Sequence, residues 1–389
     1  MSELNELIKK LCPDGVEYKK LGEVCILSAG GDAPKTHMSK IKSDEYKYPI
    51  YSNGVGDNAL YGYTDEYKIS NPCVTVAARG TIGWAALRTE PFYPIVRLIC
   101  LLSNNYNELN VSFLKYVIDI MKFPIPEGGI PQLTIPMLKN REIPVPPLPV
   151  QSEVVRILDS FTELEAELEA ELAGRIEQYE YFRYYLLDEK NLERIDGKPA
   201  ETKKLGEIVD ILDSKRKPVK RGSRVSGKYP YYGANGVQDY INDYLFDGEF
   251  LLVGEDGSVI TDKGTPILNW ANGKIWVNNH THVLQEKADK QYMLRYIKYA
   301  LECKNIAKLI HDAIPKLNQQ TLKSIEIPVP FLDTQKRIVD ILDRFDTLTT
   351  SLTDGIPAEI AMRREQYEYY RSRLLDFPRL PDDAVSNGE

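Results

Sequence analysis

The stretch best equipped for chemistry is Lys215-Arg216-Lys217-Pro218-Val219-Lys220-Arg221, with Arg224 close behind and Tyr229-Pro230-Tyr231-Tyr232-Gly233-Ala234-Asn235-Gly236 following. Cations in a row offer phosphate contacts, and the aromatic and amide groups beside them offer contacts to base edges. A weaker version stands earlier: Lys35, Lys40, Lys42 and Lys47, then Tyr48-Pro49-Ile50-Tyr51-Ser52-Asn53-Gly54. Arg79-Gly80-Thr81-Ile82-Gly83 adds an arginine on a tight turn, where glycine lets backbone approach a groove. Arginine is the usual partner of guanine, and asparagine of adenine. The candidate DNA contacts are therefore Lys35, Lys40, Asn53, Arg79 and Thr81 in the first half of the chain. In the second half they are Lys215, Arg216, Lys217, Lys220, Arg221, Arg224, Tyr231 and Asn235. A run of charge is also what an ordinary solvated face looks like, so the pattern needs a structural frame.

Other chemistries fail on spacing. Pro13-Asp14 with Glu17-Tyr18-Lys19 has the outline of a nuclease motif, but two intervening residues are too few to place the carboxylates on neighbouring strands around one metal. Asn71-Pro72-Cys73-Val74 lacks the aromatic that an amino-methyltransferase loop uses to stack on a flipped base. There is no phosphate-cradling G-x-x-x-x-G-K-[ST] loop, no glycine-rich cofactor loop after a strand and no G-x-S-x-G. The four histidines are His37, His280, His282 and His311. His280 and His282 are expected to face opposite sides of a strand and, with no Cys or His partner nearby, to be surface residues rather than ligands. No catalytic constellation, bound cofactor or metal site is expected.

Composition sets the frame. The 389 residues are 43% hydrophobic and 27% charged, enough for two domains with their own cores. Five cysteines without a C-x-x-C pair predict a reduced, cytoplasmic chain, bacterial or archaeal. Acidic leucine-rich residues at the start are unlike a signal peptide, and no apolar run is long enough for a membrane span. The net charge of −8 is unevenly spread: residues 146–200 hold 6 basic and 13 acidic side chains, whereas residues 201–330 hold 19 and 16.

What positions the candidate contacts is a duplication. Lys19-Lys20-Leu21-Gly22-Glu23 returns as Lys203-Lys204-Leu205-Gly206-Glu207, Ile143-Pro144-Val145-Pro146 as Ile327-Pro328-Val329-Pro330, and Ile157-Leu158-Asp159 as Ile341-Leu342-Asp343. Glu177-Gln178-Tyr179-Glu180-Tyr181 returns as Glu365-Gln366-Tyr367-Glu368-Tyr369, and Gly129-Ile130-Pro131-Gln132-Leu133 answers Ala313-Ile314-Pro315-Lys316-Leu317. So large a repeat is a globular domain, not a solenoid unit. Short apolar runs predict strands at Cys73 to Ala78, Ile95 to Leu102, Phe250 to Val253, Lys274 to Val277 and His282 to Leu284. One helix per copy is predicted at Val111 to Ile120 and Gln291 to Leu301, giving mixed α/β domains.

After each proline-rich exit the period becomes helical. Leu158, Phe161, Leu164, Leu168, Leu172, Ile176, Tyr179, Phe182 and Leu186 mark one helix, and Ile338, Ile341, Phe345, Leu348 and Leu352 a heptad seam. Asp354-Gly355-Ile356-Pro357 should break the second helix and start another. The helices could each pack on their own domain, but antiparallel pairing about an internal pseudo-twofold is the favoured expectation. The fold class is thus α/β (mixed α+β), with two similar globular domains joined by two long helices in an antiparallel coiled coil. The expected divisions are 1–149, a first spacer helix at 150–190, 191–331, and distal helices with a tail at 332–389.

With its Pro-Asp-Gly-Val-Glu-Tyr-Lys-Lys-Leu-Gly-Glu opening at 13–23 and I-P-V-P-P-L exit at 143–148, this layout resembles the specificity subunit of type I restriction-modification systems. The Asp354-Gly355-Ile356-Pro357-Ala358-Glu359-Ile360 stretch and Arg363-Arg364-Glu365-Gln366-Tyr367-Glu368-Tyr369-Tyr370-Arg371 carry the same resemblance. It implies a non-catalytic chain whose two target-recognition domains each read one half of a split, asymmetric double-stranded DNA site. It further implies spacer helices that dock two modification (methyltransferase) subunits bringing S-adenosylmethionine, with two restriction subunits adding ATP- and Mg-dependent cleavage. The four-residue repeat Glu-Leu-Glu-Ala within 163–172 is expected to set the distance between half-sites. A stand-alone sequence-specific DNA-binding regulator and a coiled-coil protein scaffold are the competing functions.

Overall fold

The computed structural model describes residues 2–123, 131–257, 259–310 and 315–381. His311, Ser258 and the Gly129-Ile130 and Ala313-Ile314 parts of the matched block lie outside the described residues. The chain forms two compact units, residues 1–167 with 360–389, and residues 168–359.

In the first unit the strands Cys25–Ala29, Leu98–Ser103, Cys73–Ala77 and Ala85–Arg88 form an antiparallel sheet in that order. Cys73–Ala77 is buried at every position, as a central strand covered on both faces must be. A second sheet runs Met38–Ser39, Leu60–Thr64, Tyr48–Tyr51, Tyr93–Pro94. The helix Val111–Ile120 buries six residues in the core, and the Asn110 side chain caps it by accepting from the amides of Ser112 and Phe113.

The second unit repeats the plan with one six-stranded sheet: Val209–Ile211, Thr281–Glu286, Phe246–Gly254, Leu268–Val277, Ser226–Gly233, Gly236–Ile241. Leu268–Val277 is a continuous ten-residue strand that pairs on both sides. Its counterpart in the first unit is two pieces, Ala85–Arg88 and Tyr93–Pro94, and so two sheets. Pro91 between them has no amide proton for a ladder. The predicted helix at 291–301 is observed at Leu294–Glu302.

The repeated motifs have matching structural roles. Tyr18–Lys20 pairs with Glu142–Pro144, and Glu201–Lys204 with Glu326–Val329, so the K-K-L-G-E and I-P-V-P segments are the two strands of one ribbon. Glu23 accepts from the Lys20 amide at 2.9 Å and Glu207 from the Lys204 amide at 3.0 Å, closing identical turns. A Cβ on Gly22 or Gly206 would lie 2.2 Å from the Lys139 side chain or 2.9 Å from that of Lys323, so in both copies a lysine stem packs against the glycine. The aspartate of each I-L-D accepts a tyrosine hydroxyl from the unit's helix, Tyr116 to Asp159 and Tyr299 to Asp343.

The helix Leu148–Leu187 has 40 residues, about 60 Å at 1.5 Å per residue. Val150, Val154, Ile157 and Leu158 join the first unit's core, so this end packs on its own domain. Beyond it, helices pair. In the first unit Phe161 stacks on Tyr370 at 5.6 Å, and Arg364 bonds Glu165 at 2.6 Å, an antiparallel register with Ile356–Leu374. In the second, Tyr179 and Phe182 stack on Phe345 of Leu332–Thr350 at 6.0 and 5.6 Å. The expected break falls between Thr350 and Ile356. Among the described residues no helix is long and apolar enough to cross a membrane.

Candidate nucleic-acid interface

In the second unit the basic run forms the loop between Val209–Ile211 and Ser226–Gly233. Lys215, Lys217, Lys220 and Arg221 are exposed. Arg216 turns inward: its guanidinium donates to Glu255 at 2.6 Å and to the Thr281 carbonyl at 2.8 Å. Arg224 also points back, onto the Val219 carbonyl at 3.1 Å, Asp239 at 3.3 Å and the Tyr231 ring at 4.0 Å. Tyr231 is 1% exposed and its hydroxyl meets the Val219 amide at 3.1 Å. Arg216, Arg224 and Tyr231, expected as DNA contacts, are instead struts that shape the loop. Trp276 completes the frame, donating to the Lys217 carbonyl at 2.6 Å.

Asn235 is exposed in the turn joining Ser226–Gly233 to Gly236–Ile241. Gly236 there has φ +101°, open to glycine and hardly to other residues. Val237 and Tyr240 are exposed on the same hairpin. Sequence reasoning missed Lys228, Lys274 and Tyr244. Tyr244 packs on Tyr229 at 5.2 Å, with the Lys274 ammonium 4.6 Å from the Tyr244 ring, and the contact with Tyr244 raises the lysine pKa. The signal was the strand pairing that brings residue 274 opposite 247, invisible in a linear motif.

The first unit assembles a different tip. Asn53 donates to the Arg79 carbonyl at 2.7 Å and Thr81 to the Asn53 carbonyl at 3.1 Å, clipping the turns Ser52-Asn53-Gly54 and Arg79-Gly80-Thr81 together. Gly80 has φ +77°. Three of the five expected contacts are thus brought together. Lys35 and Lys40 are exposed on the segment between Cys25–Ala29 and Tyr48–Tyr51, with Lys40 held on the Tyr61 carbonyl at 2.5 Å.

Below the second unit's loop lies an ion network. His282 is wholly buried; one ring nitrogen meets Asp213 at 2.6 Å and the other the Leu317 carbonyl at 2.7 Å. Asp213 also accepts from the Val283 amide and from Gln319, each at 3.0 Å. Burial raises the Asp213 pKa, but the hydrogen bonds from His282, Val283 and Gln319 outweigh it and leave the carboxyl below its ordinary value. The expectation of surface histidines therefore fails for His282, whose partner is 69 residues away. Positions two apart on a strand share a face, so His280 and His282 would not have pointed to opposite sides had both been in it. What separates the pair is that the strand begins at Thr281, leaving His280 in the preceding turn beside Asp256. Asp213, Glu255 and His282 could offer metal ligands, with atoms within 4.8 Å of one another. The Arg216 guanidinium already bonds Glu255 and both ring nitrogens are engaged, so the arrangement reads as a closed ion network.

Burial pushes the Cys25 and Cys303 thiols up to about 12 and about 11, so neither is a thiolate at neutral pH.

A family model for the type I restriction modification DNA specificity domain matches residues 13–178 and 197–362. The chain is 29% identical to the type I restriction enzyme EcoR124I/EcoR124II specificity subunit of Escherichia coli, over all of both chains. It is 40% identical to a putative type I restriction enzyme specificity subunit of Haemophilus influenzae, over 47% of this chain and 48% of that one, about half its length. Its fold is similar to the crystal structure of a type I restriction-modification S subunit from M. genitalium, with a TM-score of 0.57 and 19% identity over 93% of this chain and 96% of that one.

Proposed function

The chain belongs to the type I restriction-modification DNA specificity family, and from that premise we propose that each of its two units reads one half of a split, asymmetric duplex-DNA target. It is a specificity subunit with two recognition domains rather than a catalytic subunit. The observation that carries the proposal is that two copies of one scaffold end in unlike tips. One presents Asn53, Arg79 and Thr81 on clipped turns, the other Asn235 on a hairpin and four exposed cations on the loop that precedes that hairpin. Equal scaffolds with unequal side chains at the tip read unequal sequences.

The helices supply the rest of the proposal. Residues 146–200 are strongly acidic and repel phosphate, yet they expose Tyr181 and Tyr185, stacked at 5.8 Å. Such faces suit protein partners, here two methyltransferase subunits, one per copy, that bring S-adenosylmethionine to adenine. Two restriction subunits would add ATP- and Mg-dependent cleavage.

The test is to produce the chain with its methyltransferase partner in cells and sequence adenine methylation. Two unlike specific blocks flanking a gap of free sequence are expected. A single uninterrupted motif would exclude the reading. Tight, sequence-specific gel shift by the purified chain alone would favour a stand-alone regulator.

A further inference from the structure

The two units differ around His282, which is buried in the second unit, and at its strand partner, which in the first unit is the exposed Ala29. Ala29 pairs with Ile99 in the first, and the Leu133 amide bonds the Ala78 carbonyl at 2.7 Å. In the second, continuing the register of Val209–Ile211 against Thr281–Glu286 sets Asp213 opposite His282, and the Leu317 amide bonds the Glu255 carbonyl at 2.8 Å. Asp213, His282 and Glu255 thus stand where the first unit has Ala29, Ile99 and Ala78. The scaffold closes here without charge. Exchanging a buried ionic group for apolar side chains is commonly neutral or stabilising, so stability does not explain the network.

What the second unit has beside it is the basic run, and the network is built into that run. Asp213 lies two residues before it and Arg216 within it. The groups around the His282 ring are Asp213 and Arg216 from the loop, Glu255 at 3.8 Å, and Gln319 and the Leu317 carbonyl from the returning segment. Lys316 stands at the rim, 3.7 Å from Glu255. Both ring nitrogens face acceptors, a carboxylate and a carbonyl, and only the doubly protonated ring satisfies both. Losing either contact would free the base of the loop.

We propose that His282, through its contacts with Asp213 and the Leu317 carbonyl, is the positioning residue that fixes the 213–224 loop so that Lys215, Lys217, Lys220 and Arg221 engage DNA phosphates. The inference rests on the DNA reading given above and is confined to the second unit.

The test uses the full chain and a labelled duplex of mixed sequence at fixed salt, read by fluorescence anisotropy. The triple variant Asp213→Ala, Glu255→Ala, His282→Ile installs the first unit's residues. It is expected to unfold as cooperatively as the parent while its DNA affinity falls roughly tenfold, the scale of one charged hydrogen bond. H282Q should bind weakly, and H280Q as tightly as the parent. If K217A/K220A binds as tightly as the parent, the DNA reading itself fails. If that pair weakens binding but the triple variant and H282Q do not, the positioning role is overturned. Should H282Q not fold, the triple variant decides alone, and its binding as tightly as the parent overturns the role.

Discussion

Lys217 and Arg221 face solvent while Arg216, with the same charge and nearly the same sequence position, is consumed inside. Replacing either outward cation with alanine should weaken binding to all duplexes alike and shallow the dependence of log K on log salt by about one. A salt titration of each variant checks this, and R216A should instead lower the unfolding temperature. Gly54 is constrained for another reason: a Cβ there would sit 2.0 Å from the Asn58 carbonyl oxygen. G54A should therefore destabilise the first unit by about 2 kcal/mol, measured by denaturant unfolding, and displace Asn53. Asp213 gives a pH dependence with a definite sign. Its carboxyl pKa is depressed on folding, so its contribution is present above the ordinary carboxylate value and lost as pH falls through the lower folded value. D213N should lose stability at neutral pH, and the gap to the parent should close in acid. At this scale the sequence showed which residue types mattered but not their direction. Arg216, Arg224 and Tyr231 look like their neighbours until partners 39, 15 and 12 residues away are known.

Elements were more legible. The helix Val111–Ile120 is expected at its observed bounds, because an amphipathic period is a local signal. The break before Pro357 was legible for the same reason. Less so was the split of one long strand into Ala85–Arg88 and Tyr93–Pro94, where Pro91 acts only through a ladder formed with distant strands. The helix pairs carry two expectations. F345A removes the ring against which both Tyr179 and Phe182 stack, and should cost the second unit about 3 kcal/mol in denaturant unfolding. Inserting one further Glu-Leu-Glu-Ala after Ala170 lengthens a helix by about 6 Å. If helix length measures the target, the gap between methylated half-sites should widen by roughly one to two base pairs at ~3.4 Å each. An unchanged gap would eliminate that role.

At the scale of the whole molecule, the duplication explains why so much could be read from one chain. Each copy acts as a control for the other, and Gly22 with Gly206, or Asp159 with Asp343, identify structural positions by recurring. The copies are not, however, assembled from the chain in the same way. The second unit is one uninterrupted span, residues 168–359, whereas the first needs residues 360–380. There Leu374, Leu375 and Phe377 enter its core, the Val16 amide bonds the Pro378 carbonyl at 2.8 Å, and the Leu380 amide bonds the Val16 carbonyl at 3.0 Å. Ending the chain after Asp376 should accordingly lower the unfolding midpoint of the first unit and spare the second, as proteolysis of the two would report. During synthesis the order of birth and the order of completion are then reversed. The half that leaves the ribosome first must wait, unfinished and open to chaperones or proteases, until residues 360–380 arrive to close it.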